Sequence, residues 1–270
     1  MTSVKVIGVG MGEPEHLTGQ AVAALNTVDV FFVLEKGSAA DELARIREEL
    51  CRRVVTSRRY RFVEVDDPRR DREAEDYVGA VDDWTAARAA ALSEAVGSEL
   101  GASDCGGLLA WGDPAFYDST LRVLDALPFP VEVEVVPGLS SIQMLAAAHR
   151  ISLTRVGRPL QVTTGRRLAA SGFPPGCDDV VVLLDGDCSF RHVDPTGVTI
   201  YWGAHLGSAH QVLVCGELAA VAEQIVAARS EARTRRGWVM DTYLLRRASE
   251  QPRSEKGGSQ PPSSSTLAVP

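Results

Sequence analysis

Residues 4–14 read VKVIGVGMGEP: a β-branched apolar run, Val4–Val9, that breaks into glycines and a proline. Such a run has the length of one buried strand and is too short for a helix. The glycines permit a sharp reversal at positive φ and a close approach of backbone to a ligand. Two later stretches repeat the arrangement. Residues 107–117, GLLAWGDPAFY, pass from an apolar strand into Gly112-Asp113-Pro114, and residues 131–141, VEVEVVPGLSS, pass from a strand into Pro137-Gly138 and two serines. Ligands of open parallel sheets sit beyond the carboxyl ends of the strands, so these three strand-ending loops are the candidate site.

Working outward, strands and helices alternate as far as residue 149. Thr18–Leu25 reads as a helix with Thr18 as its N-cap, Val28–Leu34 as a second strand and Ala39–Arg53 as a helix with Leu43, Ile46 and Leu50 on one face. Arg58–Val65 is an edge-strand candidate, Tyr77–Leu100 an Ala-rich helix, and helices are expected over Ser119–Leu127 and Ser140–His149. Alternation of this kind gives an α/β domain with a mostly parallel sheet. After residue 150 the pattern changes. Short strands are expected over Leu160–Thr164, Val180–Leu184, Val198–Trp202, Gln211–Cys215 and Thr242–Leu245, with a single strong helix at Glu217–Arg229. This predicts an N-terminal α/β domain over 1–150, a C-terminal α+β domain over 151–248, and a Ser/Pro/Gly-rich tail over 249–270 that cannot bury enough to fold.

The 270 residues can bury a large core, with 45% of them apolar. A net charge of −8 argues against a general nucleic-acid binder. No apolar run reaches the ~18 residues of a membrane span, and the N-terminus lacks the pattern of a signal peptide, so a cytoplasmic location is expected. Five widely spaced cysteines without a CxxC fit reduced thiols rather than disulfides or zinc. His205 and His210 are the one close histidine pair, at a spacing that does not share a helix face, and no metal site is expected. Of the 28 basic residues 25 are Arg, and eight of these fall within residues 52–72. A guanidinium grips carboxylates in a bidentate fork.

Taken singly, each loop has a purely structural reading. The first has the spacing G-x-G-x-G and then Pro14, which fails both the dinucleotide fingerprint and the P-loop. Gly112-Asp113-Pro114 suits a type I turn, and Ser140 suits a helix cap. As an ordered set the loops resemble the tetrapyrrole methylase family, the S-adenosylmethionine-dependent methyltransferases of the sirohaem and cobalamin pathways. That family carries G-x-G-x-G-D-P followed by L-T, then G-D-P, then V-x-P-G-[IVL]-[ST]-[SA]. Leu17-Thr18 supplies the L-T, and Glu13 stands where Asp is usual. The resemblance spans about residues 4–247. DVFFVLEKG (29–37), VVLLDGDCSF (181–190), IYWGAHLG (200–207) and GWVMDTYLLRR (237–247) look like the branch that methylates precorrin-5 at ring carbon C-1 and releases its acetyl unit as acetate.

The resemblance implies a two-domain tetrapyrrole methylase fold, a homodimer, and S-adenosylmethionine as methyl donor with S-adenosylhomocysteine as product. Carried over motif by motif, the cofactor contacts are Pro14, then Trp111, Gly112, Asp113 and Phe116, then Ser140 and Ser141, with Leu183 and Ala204 from the second domain. A small-molecule tetrapyrrole is the implied partner, with neither nucleic acid nor membrane. Deacetylation needs water to add to a carbonyl, for which Glu35, Tyr117, Asp185, Asp187 and Asp241 are candidate bases or oxyanion donors, with no catalytic residue singled out. The Arg-rich segment 52–72, with Arg155, Arg158, Arg166 and Arg167, is expected to line the trough that takes this polyanion. The alternatives are a sister methyltransferase acting at another ring carbon, a nicotinamide-dependent oxidoreductase using the first glycine loop, and a non-catalytic tetrapyrrole carrier.

Overall fold

The computed structural model describes residues 2–34, 38–56, 59–69, 71 and 76–248, without the side chains of 38–41. Glu35, Arg58, Arg70, Arg72 and the tail 249–270 lie outside the described residues. In chain order the first half comprises β1 (Thr2–Gly8), α1 (Gly19–Leu25), β2 (Val30–Val33), α2 (Ser38–Val54), β3 (Arg61–Glu64), α3 (Tyr77–Glu99), β4 (Cys105–Ala110), α4 (Thr120–Asp125), β5 (Val131–Val136) and α5 (Ser141–His149). The second half comprises β6 (Leu160–Thr164), α6 (Gly165–Ser171), β7 (Asp179–Leu183), β8 (Val198–Ala204), β9 (Val212–Glu217), α7 (Leu218–Arg236) and β10 (Asp241–Arg247).

The first five strands form one all-parallel sheet in the order β3-β2-β4-β1-β5. Helices cover its faces, which is why the run Val4–Val9 sends apolar side chains to both: Val4 and Val6 to one core cluster, Ile7 and Val9 to the other. Val4, Val6 and Ile7 are buried. In register, Ile7 lies opposite Leu109 on one side and Val136 on the other. The carboxyl ends of β4, β1 and β5 are therefore level and adjacent, and the three Gly/Pro loops leave from neighbouring points. Thr18 caps α1 by accepting a hydrogen bond from the Ala21 amide at 3.0 Å, and β3 is an edge strand, both as the residues predicted.

The second sheet has the order β6-β7-β10-β8-β9, with only β6 and β7 parallel. Its core is built on Trp202, Tyr243, Ile200 and Phe190, all buried. Two helical features went unpredicted. The helix α6, GRRLAAS, has one buried apolar side chain, Leu168, and so shows no periodicity. α7 runs to Arg236, seven residues further than expected. Its last turn is basic, which complements the helix dipole, and Gly237 at φ +77° ends it. Helix α5 joins the two halves: Ile142 and Leu145 pack against Val181, Leu183, Leu206 and Leu244 of the second sheet.

Candidate functional site

The three loops touch through backbone. A Cβ placed on Gly8 would lie 2.6 Å from the Gly138 nitrogen, and one on Gly138 would lie 2.1 Å from the Gly112 carbonyl oxygen. Gly10 and Gly112 exchange backbone hydrogen bonds of 3.1 and 2.7 Å, with both residues at positive φ. Asp113 closes the arrangement. One carboxylate oxygen accepts from the Gly138 amide at 2.8 Å, and the other accepts from the Ala115 amide at 2.8 Å. Ser140 is the N-cap of α5: its hydroxyl oxygen accepts from the Ile142 amide, and the Gln143 side chain returns a contact to the Ser140 amide.

Beyond these loops, facing the second sheet, lies a chamber of about 370 Å³. Seven of the nine predicted contacts line it: Trp111, Gly112, Asp113, Phe116, Ser140, Ser141 and Leu183. Pro14 lines an adjoining chamber of about 580 Å³. Met11, Trp111, Leu206 and Met240 line both, so the two are compartments of one trough. Ala204 is fully buried and lines neither, whereas its register partner on β10, Asp241, lines the smaller one. Ser141 meets the opposite wall directly, accepting a hydrogen bond from the Thr242 hydroxyl at 2.8 Å.

The candidate groups for deacetylation separate by their surroundings. The Asp185 carboxylate is buried and fully engaged: it accepts from Ser189 N at 2.7 Å, Ser189 Oγ at 2.9 Å, Asp187 N at 3.1 Å and the Tyr243 hydroxyl at 2.6 Å. Asp187 is exposed and lines neither chamber. Asp241 accepts from the Trp202 indole at 2.9 Å and from Arg229 Nε at 3.0 Å. Burial pushes its carboxyl above the ordinary range, against the pull of Arg229 and Trp202. Tyr117 stands on the rim of the smaller chamber with its side chain half-exposed. Among the described residues no group of three or more His, Cys, Asp or Glu is placed to hold a metal ion.

The arginine expectation needs correction. Arg52 and Arg53 do line the larger chamber, at the end of α2, where both pair with Glu49. Arg61 instead pairs with Glu99 at the outer edge of the sheet. Arg155 and Arg158 pair with Asp178 and Asp179 at the start of β7, the opposite end of that strand from Leu183. Arg166 lies over the Tyr77 ring at 3.7 Å, and neither it nor Arg167 lines a chamber. Their carboxylate and aromatic partners hold the fold together elsewhere. In their place the structure brings Arg45 and Arg236 to the larger chamber. Arg236 and the Trp238 indole both donate to Glu42. Burial alone would raise the Glu42 carboxyl, but the Trp238 and Arg236 contacts bring it below its usual value. Leu206, Met240 and Thr242 were not singled out from sequence, although they lie just past β8 and at the start of β10, level with the loops. The strand-end rule applied to the second sheet would have found them.

A family model for the tetrapyrrole (corrin/porphyrin) methylases matches residues 3–222. The chain belongs to this family. A curated relative from Sinorhizobium sp, precorrin-6A synthase [deacetylating], is 43% identical over 254 residues, covering 93% of this chain and 97% of the relative. A second from the same source, precorrin-2 C(20)-methyltransferase, is 29% identical over 171 residues, covering 60% of this chain and 67% of the relative. Among solved structures, a cobalamin synthesis related protein (CobF) from Corynebacterium diphtheriae superposes with a TM-score of 0.75 at 32% identity, covering 92% of this chain and 99% of that one. The uroporphyrin-III C-methyltransferase of Thermus thermophilus, in complex with S-adenosylhomocysteine, shares the fold at a TM-score of 0.55 and 20% identity, over 90% of this chain and 91% of that one.

Proposed function

We propose that the chain is an S-adenosylmethionine-dependent C-methyltransferase of cobalamin biosynthesis, which methylates precorrin-5 at C-1 and releases the acetyl unit as acetate to give precorrin-6A. The observation that carries this reading is the meeting of the β1, β4 and β5 loops, backbone against backbone, on one chamber. The family and the 43% identity to a deacetylating precorrin-6A synthase support the choice of branch. The same reading divides the chain at 150/151 and takes the working form as a cytoplasmic homodimer.

The residues fit the donor. The smaller chamber lies within the ~300–1,000 Å³ usual for such ligands. Phe116, Leu183 and Leu206 give it apolar walls, while Ser141, Thr242 and the backbone of Gly112 offer polar atoms. Trp111, Gly112, Asp113, Phe116, Ser140, Ser141 and Leu183 would hold it from the lining and Pro14 from the adjoining wall, while Ala204, which lines neither chamber, would only back the wall behind Asp241. When bound, S-adenosylmethionine supplies a methyl group on a positively charged sulfur. The protein's part is to hold that methyl in line with the ring carbon, which is worth most of the acceleration through proximity and orientation. Asp113 contributes by locking the loops, since both its oxygens are spent on backbone amides. In the larger chamber Arg45, Arg52, Arg53 and Arg236 meet the carboxylates of the substrate.

Calorimetry with S-adenosylhomocysteine, and mass spectrometry of precorrin-5 incubated with labelled donor, test the reading. One added methyl and one released acetate are expected. Binding of NAD(H) in place of S-adenosylhomocysteine would turn the reading to an oxidoreductase. Replacing Arg52 and Arg53 by Ala should raise the substrate KM, and by less at high salt.

A further inference from the structure

We infer that the Tyr117 phenol is a catalytic hydrogen-bond donor to the acetyl carbonyl of the substrate during deacetylation. This rests on the function proposed above. It starts from two backbone outliers. Tyr117 and Leu184 lie at φ +54° and +52°, the left-handed region. A side-chain-bearing residue is strained there. Both are also among the large apolar residues left exposed, with Phe116 beside them. All three line the smaller chamber, Phe116 and Tyr117 on the loop after β4 and Leu184 on the loop after β7. Two opposed loops of different sheets thus each accept strain to present a large side chain at the rim of the smaller chamber, in the same trough whose adjoining compartment is read above as meeting the carboxylates of the macrocycle. The loop carrying Tyr117 is fixed at its base by Asp113, so the phenol is presented on a pinned turn.

The hydroxyl itself is under-used. Among the described residues its one hydrogen bond is to the Val162 carbonyl at 3.5 Å, the outer limit of such a bond. The other polar side chains of the rim are committed: Asp185 to four donors, Asp241 to Arg229 and Trp202, and Asp118 to the Thr120 amide at 2.6 Å. Desolvation raises the Tyr117 hydroxyl above its ordinary value, so it keeps its proton and acts as donor, not base.

A water oxygen bonds to the acetyl carbon, one water proton passes to solvent, and the carbonyl pair moves onto oxygen, where the Tyr117 O–H stabilises it. On collapse the bond between ring carbon and acetyl carbon breaks. Its electron pair stays on the ring carbon, conjugated with the macrocycle, and acetic acid leaves and loses its proton to solvent. That pair is then free to take the donor's methyl group, whose bond to sulfur would break with its electron pair left on sulfur as S-adenosylhomocysteine. The phenol donates throughout and is not consumed.

Two variants and the wild type test this. Tyr117→Phe removes only the hydroxyl. Tyr117→Gly also relieves the left-handed strain, so its fold is secure. Both should bind S-adenosylhomocysteine as the wild type does by calorimetry, with melting temperatures unchanged or, for Gly, raised. In single turnovers acetate release should fall about 10²-fold in kcat for Tyr117→Phe, the low end for losing one oxyanion donor, with KM little altered. Wild-type kcat in Tyr117→Phe would overturn the inference and leave the proposed function standing. So would a loss seen only as lower melting temperature and weaker S-adenosylhomocysteine binding, the signature of a strut to Val162. Failure of the wild type to release acetate from precorrin-5 would instead remove the proposed function.

Discussion

Gly138→Ala tests the architecture of the site at its tightest point. The added methyl carbon would sit 2.1 Å from the Gly112 carbonyl oxygen, 2.7 Å from the Gly8 carbonyl carbon and 2.9 Å from the Gly8 Cα. All three are backbone atoms, so no rotamer change relieves the clash. Ordinary contact begins near 3.4 Å, so the β5 loop must retreat by more than an ångström from the β4 loop. That movement stretches the 2.8 Å bond from the Gly138 amide to Asp113 beyond hydrogen-bonding range. Overpacking costs about 1–3 kcal/mol, and losing a hydrogen bond to a charged acceptor about 1.5–3 kcal/mol. A destabilisation of about 3–5 kcal/mol corresponds to a fall of roughly 6–20 °C in Tm for a chain of this size. Calorimetric melting and S-adenosylhomocysteine titration read the two consequences, and both should worsen together. Gly97→Ala is the control. It lies in α3 with open space around it, and should hold or gain up to ~1 kcal/mol. A Gly138→Ala protein with wild-type Tm and wild-type affinity would refute the claim that the loops form one platform by backbone contact.

Other outcomes follow from the same geometry. Asp113→Asn keeps one acceptor but turns an amide N–H towards a backbone N–H; it should cost about 1–3 kcal/mol in denaturant unfolding and weaken S-adenosylhomocysteine binding in proportion. Arg229→Met strands the Asp241 carboxylate without its cation and should cost about 3–5 kcal/mol, part of which Arg229→Met combined with Asp241→Asn recovers. Burial and, after it, the charge of Arg236 push the His205 imidazole down to about 4 from an ordinary 6.5. The unfolded chain therefore takes up a proton that the folded one refuses. Stability is fully present above pH 6.5, falls between 6.5 and 4, and is level below 4. His205→Asn tolerates the φ of +47° at that position and should remove a pH dependence on the order of 3 kcal/mol over that window, read from urea midpoints at stepped pH.

Much of this was legible because the site lies where strands end. Val4–Val9 and Gly107–Trp111 declare themselves as strands by their apolar, β-branched or leucine-rich character, and Val131–Val136 by alternating Val with Glu; parallel order then puts their carboxyl ends together. The second half was less legible for a physical reason. The lining from β8 to β10 comes from Leu206, Met240 and Thr242, residue types that every core uses and that carry no chemistry of their own to single them out. The arginines misled because a count of charges says nothing about partners. Asp178 and Asp179 claim Arg155 and Arg158 at the far end of β7, and nothing in their spacing reveals it. Nor does any sequence signal mark a left-handed Tyr117 or Leu184, since both types avoid that region and only the surrounding fold compels it.

The motif glycines carry a different meaning in three dimensions from the one a sequence suggests. Read along the chain, each looks like room made for a ligand. In space, Gly8 and Gly138 are filled by the backbone of the neighbouring loops, and of the three meeting glycines Gly112 alone has ordinary clearance, 3.6 Å to the nearest atom a Cβ would meet. Two of the three are therefore needed for loop to meet loop. Asp113 repeats the logic, since its two carboxylate oxygens accept from backbone amides of the β5 and β4 loops. The motifs accompany one another because each is the surface the others are built against. A ligand then meets a completed platform, with Gly112, Trp111, Phe116 and Ser141 on its face and Gly8, Asp113 and Gly138 holding it closed. It follows that variants of Gly8, Asp113 and Gly138 should lose stability and affinity in step, whereas variants of Phe116 and Ser141 should lose affinity at nearly constant Tm.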